Sequence, residues 1–258
     1  MVDVFRNGEN MLSNFSIAKE LNKNIFISPL TLKNIKGATV NLTASEYAWS
    51  LKTKQKIING NTITIPARDS ALIATKEVLH VTSKIAGTYH SKVKLVSKGL
   101  SHIGTTLDPT WFGHSLITIH NVSDKDIDLK CDETIVSLTF HYLDKPSKNF
   151  TLDNHSGRTN ILNELGMANI PVEIGEEGIG DLEEFKKKCY KDQKDQILQY
   201  LESYKKIFFK KREFWFVLIS TLIVAGNILF VTRQEDLSNL IIPLSVGIVT
   251  FFLGKLIR

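Results

Sequence analysis

Lys92, Lys94 and Lys98 fall within seven residues, with His90 and His102 close on either side and Ser97 among them. Ammonium, imidazole and hydroxyl groups at that density suit an anion such as a phosphate. Further on, Asp108 stands before Pro109, and Trp111 follows three residues after it. A carboxylate on a tight turn can accept a hydrogen bond from a sugar hydroxyl, and Trp111 or Tyr89 offers a face to a base. Cations interleaved with aromatics are the chemistry that holds a nucleotide or a short single strand. The structural alternatives stay open here. Alternating lysines also arise on the solvent face of a strand whose inner face is Val93 and Leu95, and a tryptophan commonly fills a core.

Other chemistries are excluded by what the chain lacks. Cys131 and Cys189 are the two cysteines, too few and too far apart for a disulfide framework or a zinc site. A zinc-dependent deaminase, which needs a His/Cys ligand cluster beside a glutamate, is therefore not expected. His114 and His120 have no ligand partners at metal spacing and read as structural, so neither metal nor cofactor is expected. The formal net charge of +5 agrees with an anionic partner.

The elements that must position these residues are mostly strands. Residues 10–24 carry apolar positions at helical spacing. Short β-branched runs follow: Ile25–Pro29, Ile35–Leu42, Ile63–Pro66, Ala71–Glu77, Leu116–Ile119, Ile127–Leu129 and Thr134–Phe140. Turns separate them, which predicts a mainly β, barrel-like domain over residues 1–145. Residues 146–180 are polar and turn-rich at their start and read as a linker. Residues 181–212 are strongly charged, with an apolar stripe at Leu182, Phe185, Cys189, Ile197, Leu201, Tyr204 and Phe208. The stripe is interrupted around Asp192–Gln196, which predicts a helical stalk rather than a regular coiled coil.

Residues 213–258 change character. Phe214–Thr232 and Leu237–Gly254 are apolar runs joined by Arg233–Asp236, with lysines and arginines flanking the pair. Runs of this length predict a hairpin of two transmembrane helices. The basic flanks predict a multi-pass inner-membrane protein with both termini cytoplasmic. Ser220 and Asn227 are polar at membrane depth and are candidates for lining a pore or for helix packing.

Several stretches resemble the dCTP deaminase/dUTPase family. Gly37-Ala-Thr-Val-Asn-Leu42 is similar to the family's NGATVDVRLG strand. Ile63-Thr-Ile-Pro66 and Ala71–Glu77 resemble its L-x-P-G…A-L-A-x-T-x-E pair, with Ala67 at the usual glycine. Asp108-Pro-Thr-Trp-Phe-Gly113 resembles its nucleotide-binding turn, and the match is collinear over roughly residues 10–145. The resemblance implies that Asp108 faces the deoxyribose and base, that Trp111 shapes the pocket, and that Ser91–Leu100 meets the phosphates. Two departures bear on activity. The glutamate of G-x-I-V-L-E-F-Y-N is Thr118 here, and the phosphate segment has Val93, Lys94 and Ser97 where the family has two serines and an arginine. A threonine hydroxyl is no carboxylate acid or base near neutral pH. The expectation is therefore a domain that is not an enzyme, with no catalytic residue and with Lys92, Lys94, Ser97, Lys98, His102, Asp108 and Trp111 as ligand-binding residues.

The joining of such a domain to a membrane hairpin resembles the transmembrane effectors of bacterial antiphage systems, Hailong-type effectors among them. That resemblance implies a sensor in which a nucleotide or a short single-stranded DNA oligomer gates a pore in the lipid bilayer. It also implies a trimeric or tetrameric homo-oligomer and a nucleotidyltransferase that makes the signal. The alternatives are a membrane-anchored nucleotide deaminase or pyrophosphatase, and a structural oligomerising membrane protein.

Overall fold

The computed structural model describes residues 11–148, 159–167 and 182–231, with side-chain surroundings in the last segment given as far as Lys206 and at Ser220. The chain divides into two compact units, Met1–Leu201 and Glu202–Arg258.

In the first unit, α1 (Asn14–Glu20) is capped by Ser13, whose side chain accepts from Ser16 N at 3.2 Å. The strands are β1 (Ile25–Ser28), β2 (Ile35–Lys36), β3 (Thr39–Ser50), β4 (Ile58–Asn59), β5 (Thr62–Ile65) and β6 (Ser70–Val81). They continue with β7 (Ile85–Ser91), β8 (Leu100–Ser101), β9 (Thr106–Leu107), β10 (Phe112–Asn121), β11 (Ile127–Lys130) and β12 (Thr134–Tyr142). A short helix α2 (Val93–Val96) lies between β7 and β8, and α3 (Thr159–Glu164) and α4 (Leu182–Val231) follow the strands.

Nine strands form one curled sheet in the order β8-β10-β6-β3-β12-β7-β9, with β1 also paired to β6 and β2 to β3. The curl comes from β3, which pairs with β12 through Thr39–Thr43 and with β6 through Ala44–Ser50, with register breaks in both ladders. A second sheet has the order β11-β5-β4. Alternation decides the faces. On β12, Val136, Leu138 and Phe140 are in the core, while Ser137, Thr139 and His141 line the other side. The mainly β reading is thus the observed one.

One segment folds differently from its sequence reading, and one open alternative is settled. The run Ile35–Leu42 is a hairpin, because Gly37 sits at φ 60° and turns β2 back onto β3. The strand offered as an alternative for Lys92, Lys94 and Lys98 is not formed either: between Ser91 of β7 and Leu100 of β8 the chain leaves the sheet. Leu95 is buried, Val93 is 83% exposed, and α2 makes a single turn.

The start of α4 packs on the β-rich unit. Phe185, Cys189, Gln193 and Ile197, four residues apart, are its buried positions. Gln193 bridges the polar gap seen in the sequence, because its Nε2 donates to the Ile27 carbonyl on β1 at 2.8 Å. On the side of β1 away from β6, Asn22 N donates to the Ile25 carbonyl at 2.8 Å and Gln193 to the Ile27 carbonyl. The first unit accordingly extends to Leu201, twenty residues into what the sequence suggested as a stalk.

In the second unit α4 continues as helix to Val231. Among the described residues no helix is long and apolar enough to cross a membrane. The part of α4 whose side chains are described is its charged, amphipathic part, residues 182–206. This corrects the expected location as a two-span inner-membrane protein with cytoplasmic termini. The second apolar run, 237–254, lies outside the described residues, as does the side chain of Asn227; Ser220 is half-buried.

Candidate nucleotide site

Asp108 is presented by a short turn between two buried anchors, Leu107 on β9 and Trp111 just before β10. Trp111 N donates to the Asp108 carbonyl at 3.2 Å and closes the turn. Between them Thr110 adopts φ 66°. A β-branched residue in the left-handed region is strained, and such strain concentrates where a turn has a task beyond connection. The Asp108 carboxylate is exposed, and its Oδ1 accepts from Thr106 Oγ1 at 3.3 Å. Trp111 itself is 4% exposed within the core, its Nε1 donating to the Gly113 carbonyl at 3.3 Å. Tyr89 is likewise buried, with its hydroxyl 2.6 Å from Ser115 Oγ. Neither ring is laid open on the surface of the single chain.

Underneath the turn lies His80, a residue the sequence reading passed over. Its Nδ1–H donates to the Trp111 carbonyl at 2.9 Å, and burial brings its pKa down to about 4, so the ring is neutral near pH 7.

The lysines form a second group around α2. Lys92 Nζ donates to Asn41 Oδ1 at 2.8 Å and to Ser137 Oγ at 3.0 Å, on the outer face of β3 and β12. Burial lowers its pKa, and the neighbouring Lys36 lowers it further. Its hydrogen-bond partners are neutral oxygens. Lys94 is placed differently, 2.7 Å from Glu133 Oε1 in an ion pair. Lys98 is exposed, and Ser97 Oγ donates to the Lys94 carbonyl at 3.1 Å.

His102 is tied down on both sides. Ser91 Oγ donates to its carbonyl at 2.7 Å, and its Nδ1–H donates to the Thr118 carbonyl at 3.1 Å. Its Nε2 is buried with no hydrogen-bond partner among the described residues, and burial lowers its pKa, with His120 and His90 adding to the shift. The polar position on β10 that carries Thr118 therefore adjoins a neutral imidazole. Among the described residues no group of three or more metal-ligating side chains is brought together.

The two groups sit at opposite ends of β7. Asp108 follows Leu107, which faces Gly87, whereas Lys92 follows the strand's last residue, Ser91. At strand rise the separation along β7 is on the order of 20 Å. Of the residues expected to bind a ligand, one chain brings together Lys92, Lys94, Ser97, Lys98 and His102, and holds Asp108 and Trp111 apart from them. Asn41, Ser137 and Glu133, which decide how the lysines are used, are distant in sequence and had no local signal.

No family model matches the chain. It is similar to the dCTP deaminase of Pyrococcus horikoshii, 24% identical over 143 residues that make up 55% of this chain and 92% of the relative. It is similar also to the dCTP deaminase of Thermococcus kodakarensis, 26% identical over 151 residues, 58% of this chain and 95% of that one. Among solved structures it is similar to 2'-deoxycytidine 5'-triphosphate deaminase from Agrobacterium tumefaciens, at a TM-score of 0.44 and 8% identity, covering 53% of this chain and 50% of that one. The relatives' sequences and the curled, mainly β sheet support a dCTP deaminase/dUTPase-like fold and a nucleotide-related domain. They also correct the expectation that the chain is not an enzyme. The likeness spans more than nine tenths of relatives named as enzymes.

Proposed function

We propose that the β-rich unit binds a pyrimidine deoxynucleoside triphosphate, with dCTP the first candidate. In this reading Asp108 accepts a sugar hydroxyl, and the phosphates lie at Lys92, with Lys94, Ser97, Lys98 and His102 around them. One observation carries the proposal: Lys92 is a half-buried ammonium whose hydrogen bonds go to neutral oxygens and whose charged neighbour is another lysine. A cation in that setting is stabilised by an incoming anion. Lys94, already paired with Glu133, contributes less. Trp111 acts by shaping the turn rather than by stacking.

The separation of the two groups along β7 implies that a complete site draws Asp108 from one copy and Lys92 from another, in a trimer or tetramer. A short single-stranded DNA oligomer offers the same phosphate and sugar chemistry. The names of the relatives favour a second reading in which the bound nucleotide is also turned over. They lend no support to a pore, a lipid bilayer, a nucleotidyltransferase or a role in antiphage defence.

Calorimetric titration of the full chain with dCTP, dTTP and a short deoxythymidine oligomer tests the proposal, with the same samples analysed for deaminated or dephosphorylated product. Saturable binding that is lost in Lys92→Glu is expected. Binding unchanged by that substitution removes the phosphate assignment, and product formation establishes turnover.

A further inference from the structure

One imidazole joins the turn that carries Asp108 to the helix that packs on β1. The Trp111 carbonyl accepts from His80 Nδ1–H at 2.9 Å and from Val81 N at 3.2 Å, while Trp111 N bonds back to Asp108. The His80 ring lies 5.6 Å from Phe26 and edge-on to Phe112 at 6.2 Å. Phe112 in turn is 5.3 Å from Phe185 of α4. Phe26, Phe185 and Cys189 form a buried cluster of their own, with Phe112 packed against it. The ring that holds the turn's last carbonyl therefore packs against Phe26 and Phe112, the two side chains on which Phe185 of α4 rests.

Among the described residues the docking of α4 has three side-chain hydrogen bonds from nitrogen donors, one of them from Asn14 Nδ2 to the Tyr200 hydroxyl at 3.2 Å, and it is imperfectly satisfied. Gln193 donates to the Ile27 carbonyl and Asn22 Nδ2 to the Cys189 carbonyl at 3.3 Å, yet Gln193 Oε1 and Asn22 Oδ1 are buried without partners among the described residues. Buried acceptors left unbonded bring the docked helix closer in free energy to an undocked one. A small bias on Phe26 or Phe112 can then move the balance.

We propose that His80 is a positioning residue that couples occupancy of the Asp108 turn to the docking of α4 on β1. A ligand on the turn fixes the Trp111 carbonyl, which orients the His80 ring and so firms the contact of Phe112 with Phe185. Linkage makes the effect reciprocal: firmer docking of α4 tightens the turn. The ligand half of this inference rests on the nucleotide reading above; the link between helix and turn does not.

Amide hydrogen exchange on the full chain tests it, comparing the wild type with Phe185→Leu, Cys189→Ala and His80→Phe, each with and without dCTP. Without ligand, Phe185→Leu is expected to speed exchange about fivefold or more in residues 182–200 and also in the 107–112 turn. Cys189→Ala loosens the same docking and substitutes for it should Phe185→Leu fail to fold. In the double variant with His80→Phe the effect on the turn disappears while that on α4 persists. Acceleration confined to α4, in either docking variant, overturns the coupling. With dCTP, slower exchange in both segments of the wild type supports it, and protection of the turn alone contradicts it. If dCTP protects neither segment the nucleotide reading fails, and the ligand-free comparison still decides whether His80 couples the two.

Discussion

Lys92 Nζ sits 2.8 Å from the Asn41 side-chain oxygen, a neutral acceptor at a register position directly opposite Ser137 on the neighbouring strand. Among the described residues no carboxylate compensates the positive charge of Lys92. Asn41→Asp is expected to supply the missing carboxylate, raise the Lys92 pKa and weaken dCTP binding about tenfold, a loss of about 1.4 kcal/mol. Calorimetry on the variant checks this. Undiminished affinity would mean that the ammonium is not what the phosphates meet.

Thr110 holds φ 66° in the turn after Asp108. Relieving a left-handed conformation at a residue with a Cβ is worth about 1 kcal/mol. Thr110→Gly is expected to raise the melting temperature by a few degrees, and a lower value would show that the threonine side chain stabilises the turn by more than its backbone strains it.

Much of this was legible in the sequence, and what was missed has a common cause. The strands of the β unit were readable because Val, Ile and Leu alternate with polar residues wherever one face is buried, as on β12. The turn at Asp108 was readable because Asp-Pro punctuates the chain. Around Lys92 the strand alternative stayed open because alternation over a few residues does not separate a strand from one turn of helix, and α2 occupies that stretch. Gln193 looked like a break in the stripe of α4, whereas burial with a backbone acceptor makes a glutamine serve as a core position. The contacts of Lys92 and His80 depend on strands far apart in sequence, and no local pattern encodes them.

Burial lowers the pKa of His80 to about 4 and moves His102 and His114 in the same direction. As the pH falls below about 6.5, the unfolded chain takes up these protons before the folded one does. Stability is therefore expected to decline from pH 6.5 downwards, with the His80 part levelling off near pH 4 and amounting to at most about 3 kcal/mol. Denaturant titrations across that range should show a shallower slope in His80→Phe. An unchanged slope would mean that His80 is protonated in the folded chain.

Glu77 is buried on β6, with Thr43 donating to it from N at 2.9 Å and from Oγ1 at 2.8 Å. Burial raises its pKa despite those bonds, so its contribution favours the fold at low pH and is lost as the pH rises through the folded value. Glu77→Gln is expected to fold with little loss at neutral pH, while Glu77→Ala strands the Thr43 donors and costs about 2 kcal/mol. Equal losses in chemical denaturation would show that the negative charge itself is needed.

The most direct measurement is the melting temperature of the full chain against rising dCTP, with dTTP, ATP and a short deoxythymidine oligomer alongside. A ligand that binds the folded state raises stability by mass action, about 2.7 kcal/mol at a hundredfold excess over Kd. The nucleotide reading predicts a saturable rise with dCTP that is absent in Lys92→Glu. A melting temperature that no nucleotide or oligomer moves would contradict it.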